Sequence, residues 1–280
     1  MTADETTTDG PERTIAILGA GNIGQALAAG WTLSGLRRPQ EILLTRRRRE
    51  LLEPLGRRGF GVDLDNRRAA REAGVVVLAV QPGQVVGLLE SIDDVLDPKR
   101  HVLVSVVSDV TIAEIRRHLG RHVPTVRAMP NMAIAIRESM TCLCAAEGEH
   151  EALDVVGPLF EAVGRTLVLP EDLMVSATAL GACGVAFFLR SIRAASQGGI
   201  EIGFHPEEAL LMAAQAARGA ASLLLEGDHP ESAIDRVTTP RGCTIAGLNE
   251  LEHQGFSSAM IQGIVASARK AARLFEGGGD

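Results

Sequence analysis

The chain has 280 residues, 46% of them hydrophobic and 22% charged, with a formal net charge of −7. That length exceeds what one core usually serves and suits two domains, while the acidic balance gives no general case for nucleic acid or an anionic membrane as partner. No run approaches twenty uninterrupted apolar residues, so no bilayer-spanning helix is expected.

Single residue types narrow the chemistry further. The four cysteines are too few for a disulfide scaffold, no Cys-x-x-Cys occurs and the seven histidines are scattered, so no metal site is expected and the setting reads as a reducing cytoplasm. Cys142 and Cys144 share one face of an apolar run, as small buried hydrophobes do. There is no tyrosine, and the lysines are Lys99 and Lys270 alone. A catalytic tyrosine is excluded, and so is a lysine inside the catalytic core.

Residues 1–13 read as a disordered lead-in, polar and acidic and without the apolar core of a signal peptide. Ile15 to Leu18 then form a strand-like run, followed by Gly19-Ala20-Gly21-Asn22-Ile23-Gly24 and an Ala-rich amphipathic stretch. GxGxxG between a strand and a helix is a dinucleotide-binding turn. Gly19 permits the turn, Gly21 admits a pyrophosphate, Gly24 lets helix meet strand, and the helix N-terminus faces the phosphates. A ligand-free glycine-rich turn is the structural alternative.

The next strand-like run, residues 41–45, ends in Thr45 followed by Arg46, Arg47, Arg48 and Arg49, where a preference for NAD would place an acid. Guanidinium groups match a 2′-phosphate, so the cofactor predicted is NADPH, with NADH the weaker alternative. One or two of the four should touch it, Arg46 first and Arg47 next, with the others on a solvated helix face. Strand-like runs follow at 74–80, 101–107, 125–131, 140–146 and 164–170, alternating with helical patterns at 83–92, 111–119 and 150–163. Continuous Val and Leu runs imply strands covered on both faces, hence a parallel, doubly wound sheet. Val80-Gln81-Pro82 and Met129-Pro130-Asn131, each following a strand, then lie near the cofactor.

After Pro170 no convincing strand remains. Long Ala, Leu and Met segments read as helices, interrupted at Gly198-Gly199 and restarting at Pro206. The segment 207–226 is apolar on more than one face, which predicts burial in a homodimer or an oligomer of dimers. The fold class predicted is α/β: a Rossmann-type domain over 14–168, then an all-α substrate and dimerisation domain over 169–280. Within the latter, Thr238 to Thr244 join two short helices. Thr244 is there either a helix cap or a hydroxyl facing a bound anion.

Together these residues resemble the pyrroline-5-carboxylate reductases over nearly the whole chain after residue 13. The most specific element is Pro240-Arg241-Gly242-Cys243-Thr244-Ile245-Ala246-Gly247-Leu248, beside the family's Pro-Gly-Gly-x-Thr. VRAMPN (126–131) and AVQP (79–82) match two further signatures, the second with Gln81 where the family has lysine. Asn66 falls where the family places an asparagine near the adenine-side ribose. The resemblance implies NADPH-dependent reduction of the cyclic imine 1-pyrroline-5-carboxylate to L-proline. It implies Thr244 bonded to the nitrogen as the catalytic residue, with Met129, Pro130, Asn131, Thr239, Arg241, Gly242 and Cys243 around the substrate. It also implies Gly19, Gly21, Asn22, Ile23, Gly24, Arg46, Arg47, Asn66, Val80, Gln81 and Pro82 around the cofactor.

Two departures stand out: Arg241 replaces a glycine, and Gly181 to Phe187 replace the family's Ser-Gly-Ser-Gly-Pro-Ala-Tyr. They keep open a reductase of a different cyclic imine, or one using a deazaflavin-type hydride donor. A β-hydroxyacid dehydrogenase is disfavoured because 171–200 holds Arg190 and Arg193 but no lysine. A non-catalytic NADP sensor is disfavoured by the retention of Thr244 beside MPN.

Overall fold

The computed structural model describes residues 14–275; the lead-in expected over 1–13 lies outside the described residues. Eight strands form one sheet in the order β3-β2-β1-β4-β5-β6-β7-β8. They are β1 (Ile15–Leu18), β2 (Ile42–Thr45), β3 (Gly61–Asp63), β4 (Val75–Leu78), β5 (Val102–Ser105), β6 (Thr125–Met129), β7 (Ser139–Ala145) and β8 (Gly164–Val168). Seven were predicted. The edge strand β3 was not, since three residues bounded by Gly61 and Asp63 offer no apolar run.

Pairing is parallel from β3 to β6, as expected, but β7 runs antiparallel to β6. The reason is the connection. Only Pro130 to Glu138 separate these strands, too short for the dozen or so residues of a parallel crossover. A crossover returns between β7 and β8, which are parallel and joined through the helix His150–Glu161.

On the first part of the chain the helices are α1 (Asn22–Leu33), α2 (Glu53–Arg57), α3 (Asn66–Glu72), α4 (Val85–Ile92), α5 (Ile112–Arg117), α6 (His150–Glu161) and α7 (Met174–Ala177). Alternation splits the strands between two cores: Ile15 and Ile17 enter one, Ala16 and Leu18 the other, and Val75 and Val77 part from Val76 and Leu78 in the same way. Both faces of the sheet are therefore covered. Trp31, fully buried, ties α1 to α6 by donating its indole N–H to Leu159 O at 2.7 Å and meeting Phe160 edge-on.

By compactness the chain forms two units, one running through Ala182 and taking up again at Ala268, the other comprising Cys183–Ser267. Residues just after Pro170 belong with the sheet, where Met174 joins Ile112, Met129, Cys142 and Cys144 in a small apolar cluster. The remaining helices are α8 (Gly184–Glu201), α9 (Pro206–Leu225), α10 (Pro230–Val237), α11 (Cys243–His253) and α12 (Phe256–Phe275). The interruption expected at Gly198-Gly199 is absent, because α8 continues to Glu201. Gly199 instead gives α9 a close approach, since a Cβ on it would lie 3.0 Å from that of Ala209.

Of the 20 residues of α9 only Ala209 is buried, while Leu211 and, on α8, Phe188 and Leu189 are exposed. A helix pair with so little buried surface needs a further partner for its apolar faces. The helical run Glu171–Glu201 has mean hydropathy 1.7 in its most apolar 18-residue window, so length and composition would let it cross a membrane. That differs from the expectation drawn from uninterrupted runs, because Ser176, Thr178 and the glycines break the run while Leu, Val, Ala, Cys and Phe around them keep the mean high.

His101, 2% exposed, accepts a hydrogen bond from Asp97 N at Nδ1 and bonds Ala70 O through Nε2. Burial pushes its pKa below the ordinary value, so the fold favours the neutral ring. The unfolded chain then takes up its proton at higher pH than the folded one. This contribution is complete above the unfolded pKa and is lost as pH falls below it. The urea midpoint should drop between about pH 7 and pH 5, with a shallower drop in His101→Gln; equal slopes would show that another group governs this range.

Candidate active site

At the carboxyl end of β1 the chain turns at Gly19, whose φ of +112° is open to glycine. A Cβ there would lie 2.5 Å from Ala79 O, and one on Gly24 would lie 2.4 Å from Gly19 O. Strand β4, the turn and α1 therefore meet backbone to backbone. A Cβ on Gly21 would meet nothing within 4 Å, so its lack of a side chain leaves room on the open side of the turn. Gly21 caps α1 without a side-chain bond, and Asn22, Ile23 and Gly24 form the first turn, whose N–H groups have no acceptor within the helix.

This turn forms one wall of a crevice of about 850 Å³ at the carboxyl ends of β1, β2 and β4, where the strand order reverses. Of the expected cofactor residues, Gly19, Gly21, Arg46, Arg47, Asn66, Val80 and Gln81 line it. Asn22, Ile23, Gly24 and Pro82 do not line it; Gly24 is buried, and Pro82 opens the short 3-10 turn after β4. Arg48 also lines it, although the sequence placed it on a solvated face, and so do Gln84, Gly87 and Ser91 from α4 and the turn before it. The spacing of Gly87 and Ser91, four apart and small, could have marked that helix face.

Among the described residues no acidic side chain lines the crevice. Thr45 accepts at Oγ1 from Gly19 N (3.3 Å) and donates to Asn66 Oδ1 (2.6 Å), joining the turn to the start of α3. Arg46 donates to Ala20 O at 3.0 Å, while Arg47 and Arg48 are exposed at the rim. A glycine cradle, a free helix N-terminus and three arginines without an acid are a donor set that fits NADP(H), phosphates included. Arg49 faces a separate shallow cavity of about 210 Å³ with Glu53, Asp63 and Arg68.

MPN stands at the carboxyl end of β6, and all three residues are buried. Met129 belongs to the small apolar cluster. Asn131, expected to meet substrate, has its amide engaged within the chain: Oδ1 accepts from Ala133 N (3.0 Å) and Nδ2 donates to Gly181 O (3.2 Å). On the preceding strand the fully buried Arg127 donates to Glu171 Oε1 and Ser108 O, both at 3.0 Å. Burial pushes the Cys144 thiol up to about 11 and raises Cys142 as well, which makes both poor nucleophiles.

The Thr238 to Thr244 connection lies in the helical unit. Thr238 bonds back to Ile234 O at the end of α10, and Gly242 N donates to Thr239 O (2.9 Å), closing a turn through Pro240 and Arg241. Arg241 takes a φ of +62°, where a glycine would be unstrained. Gly242 is the N-cap of α11 and contributes no side-chain bond. Thr244 is thus the second residue of the helix and not its cap, and its hydroxyl makes no hydrogen bond among the described residues. It is half-buried and free to bond a ligand, with exposed Cys243 before it.

Among known proteins, residues 171–274 match the family model for pyrroline-5-carboxylate reductase dimerisation, and residues 14–109 match that for NADP oxidoreductase, coenzyme F420-dependent. Pyrroline-5-carboxylate reductase 1 of Dictyostelium discoideum is 50% identical over 93% of this chain, which spans half of that relative's length. Pyrroline-5-carboxylate reductase 2 of the same organism is 48% identical, with 93% of each chain covered. A solved pyrroline-5-carboxylate reductase from Coxiella burnetii superposes with a TM-score of 0.85 at 28% identity, covering 95% of this chain and 99% of that one.

The approach of Gly24 to Gly19 O orients α1 toward the crevice. Gly24→Ala should cost about 1–3 kcal/mol of stability and weaken NADPH binding, followed by the cofactor's fluorescence. Unchanged affinity would mean that this contact does not aim the helix.

Proposed function

The chain belongs to the pyrroline-5-carboxylate reductase family, and on that premise we propose that it reduces 1-pyrroline-5-carboxylate to L-proline. The observation that carries this reading is Thr244: a hydroxyl at the start of α11, not used as a cap, beside the N-terminal N–H groups of a helix. NADPH supplies the hydride when bound. Gly19, Gly21 and the first turn of α1 would hold its pyrophosphate, and Arg46, Arg47 and Arg48 would receive the 2′-phosphate, which would favour NADPH over NADH. Cys243 and Thr244 N–H groups, with Arg241 beside them, take the substrate carboxylate. Thr244 Oγ1 accepts the N–H of the protonated imine and orients its carbon for attack.

A protonated imine is already electrophilic, so orientation and charge complementarity suffice without a strong protein acid. That agrees with a chain lacking tyrosine and holding Lys99 and Lys270 as its only lysines. The exposed apolar faces of α8 and α9 and the dimerisation family match support a homodimer through the helical domain. They also account for the hydropathy of Glu171–Glu201 without a membrane. Four free thiols support a cytoplasmic setting.

The decisive assay is NADPH oxidation over a panel of cyclic imines. Turnover of 1-pyrroline-5-carboxylate is expected; turnover of a different imine alone would overturn the substrate. Thr244→Ala should lower kcat about a hundredfold with NADPH affinity and Tm nearly unchanged, whereas lost stability with the rate per folded enzyme intact would make Thr244 structural. Arg46→Asp with Arg47→Asp should erode the NADPH-to-NADH preference by about tenfold or more, roughly 1.4 kcal/mol. An unaltered ratio would remove those arginines from cofactor selection.

A further inference from the structure

Between the end of β6 and the helical run that begins at Glu171, one side chain makes two bonds of different purpose. Asn131, 7% exposed, caps the 3-10 turn Met132–Ile136 through Oδ1, which accepts from Ala133 N. That turn rests on α1 backbone to backbone, since a Cβ on Gly30 would lie 2.3 Å from Ile134 O. The other end of the same amide donates to Gly181 O, inside the π turn Thr178–Ala182. The residue itself is held by its own N–H, which donates to Ser139 Oγ, and Ser139 Oγ shares a hydrogen bond with Thr141 Oγ1. Both hydroxyls are buried.

The position of this bridge gives it meaning. The arginine end of the crevice lies at β2 and α3, and its opposite end is Ala79 to Gln81 after β4. Beyond β4 the sheet continues with β5 and β6. An extended dinucleotide with its 2′-phosphate among the arginines would therefore direct its reacting end toward the carboxyl ends of β5 and β6, where Asn131 and the π turn stand. A π turn is an irregularity that persists where its backbone is needed in a particular place.

We propose that Asn131 is a positioning residue, whose single amide fixes the π turn Thr178–Ala182 relative to the cofactor-binding helix α1. The activity arm of its test rests on the function proposed above. In this role Asn131 does not touch substrate, and its influence on the reaction passes through the Gly181 carbonyl.

Two variants separate this from a structural role. Asn131→Asp keeps the acceptor that caps the 3-10 turn and loses the donor to Gly181. Asn131→Ser keeps a cap and is too short to reach Gly181. Each should fold and bind NADPH within about twofold of the parent, while kcat falls about tenfold or more. Amides of 178–185 should exchange faster with deuterium in both. A carboxyl buried against a carbonyl has a raised pKa and, once protonated, can donate again. Asn131→Asp should therefore recover activity and exchange protection as pH falls through the pKa of the new carboxyl, and Asn131→Ser should not. Unchanged kcat, a loss that tracks unfolding or NADPH affinity, or identical pH profiles for the two variants would each overturn the proposal. If the parent enzyme does not turn over 1-pyrroline-5-carboxylate, the function reading fails, and the exchange measurements alone decide the role of Asn131.

Discussion

At the end of β1 the backbone of Gly19 passes so close to the Ala79 carbonyl that no side chain fits between them, and Gly24 closes on Gly19 in the same way. Much of the nucleotide-binding half depends on this contact. It aims the first turn of α1 at the crevice, brings the carboxyl ends of β1 and β4 together, and leaves Gly21 with open space beside it. The far end of α1 is held no less firmly, by Trp31 against Leu159 and Phe160. Gly30, between these ends, seats the turn that Asn131 caps. A crevice at one end of the helix and an asparagine near the other are thus parts of one rigid arrangement.

Strand β6 anchors the helical run that starts at Glu171. Arg127, buried on the strand, pairs with Glu171, and the same Glu171 oxygen also accepts from Ile112 N at 2.8 Å. A buried guanidinium is costly unless its charge is matched, and here Glu171 matches it. Such a pair adds little net stability compared with an apolar contact, but it accepts few alternative geometries. Further along the run, Asn131 grips it again at Gly181. Arg127 and Asn131 of VRAMPN thus hold the helical run at two points, Glu171 and Gly181.

The charge of the molecule is distributed against its total. A chain of net charge −7 gathers three arginines and, among the described residues, no acid around one crevice. Local potential, not the overall balance, decides what binds there. In the helical unit the imbalance is one of burial: α9 covers a single residue of its own, and its leucines face outward. Exposed apolar faces of this extent mark a surface suited to contact with another protein surface.

Local chemistry was enough for much of this. The strand runs, the glycine turn, the arginines after Thr45 and the proline-led helices were legible because each rests on a period or backbone preference acting within a few residues. The short β3, the antiparallel β7 and the unbroken α8 were not, because edge pairing, connection length and contact with Ala209 involve partners elsewhere in the chain. The site divides the same way. Gly19, Arg46 and Arg47 could be named from the residues themselves, and Asn66 from the family resemblance alone. That Arg48 joins them, that Thr244 is no cap, and that Asn131 spends its amide on Gly181 fifty residues away depend on where the folded backbone places each polar atom. Residue type and spacing determine which groups a protein has to offer. Which of them stay free for a ligand is settled only when every other hydrogen bond in the fold has been made.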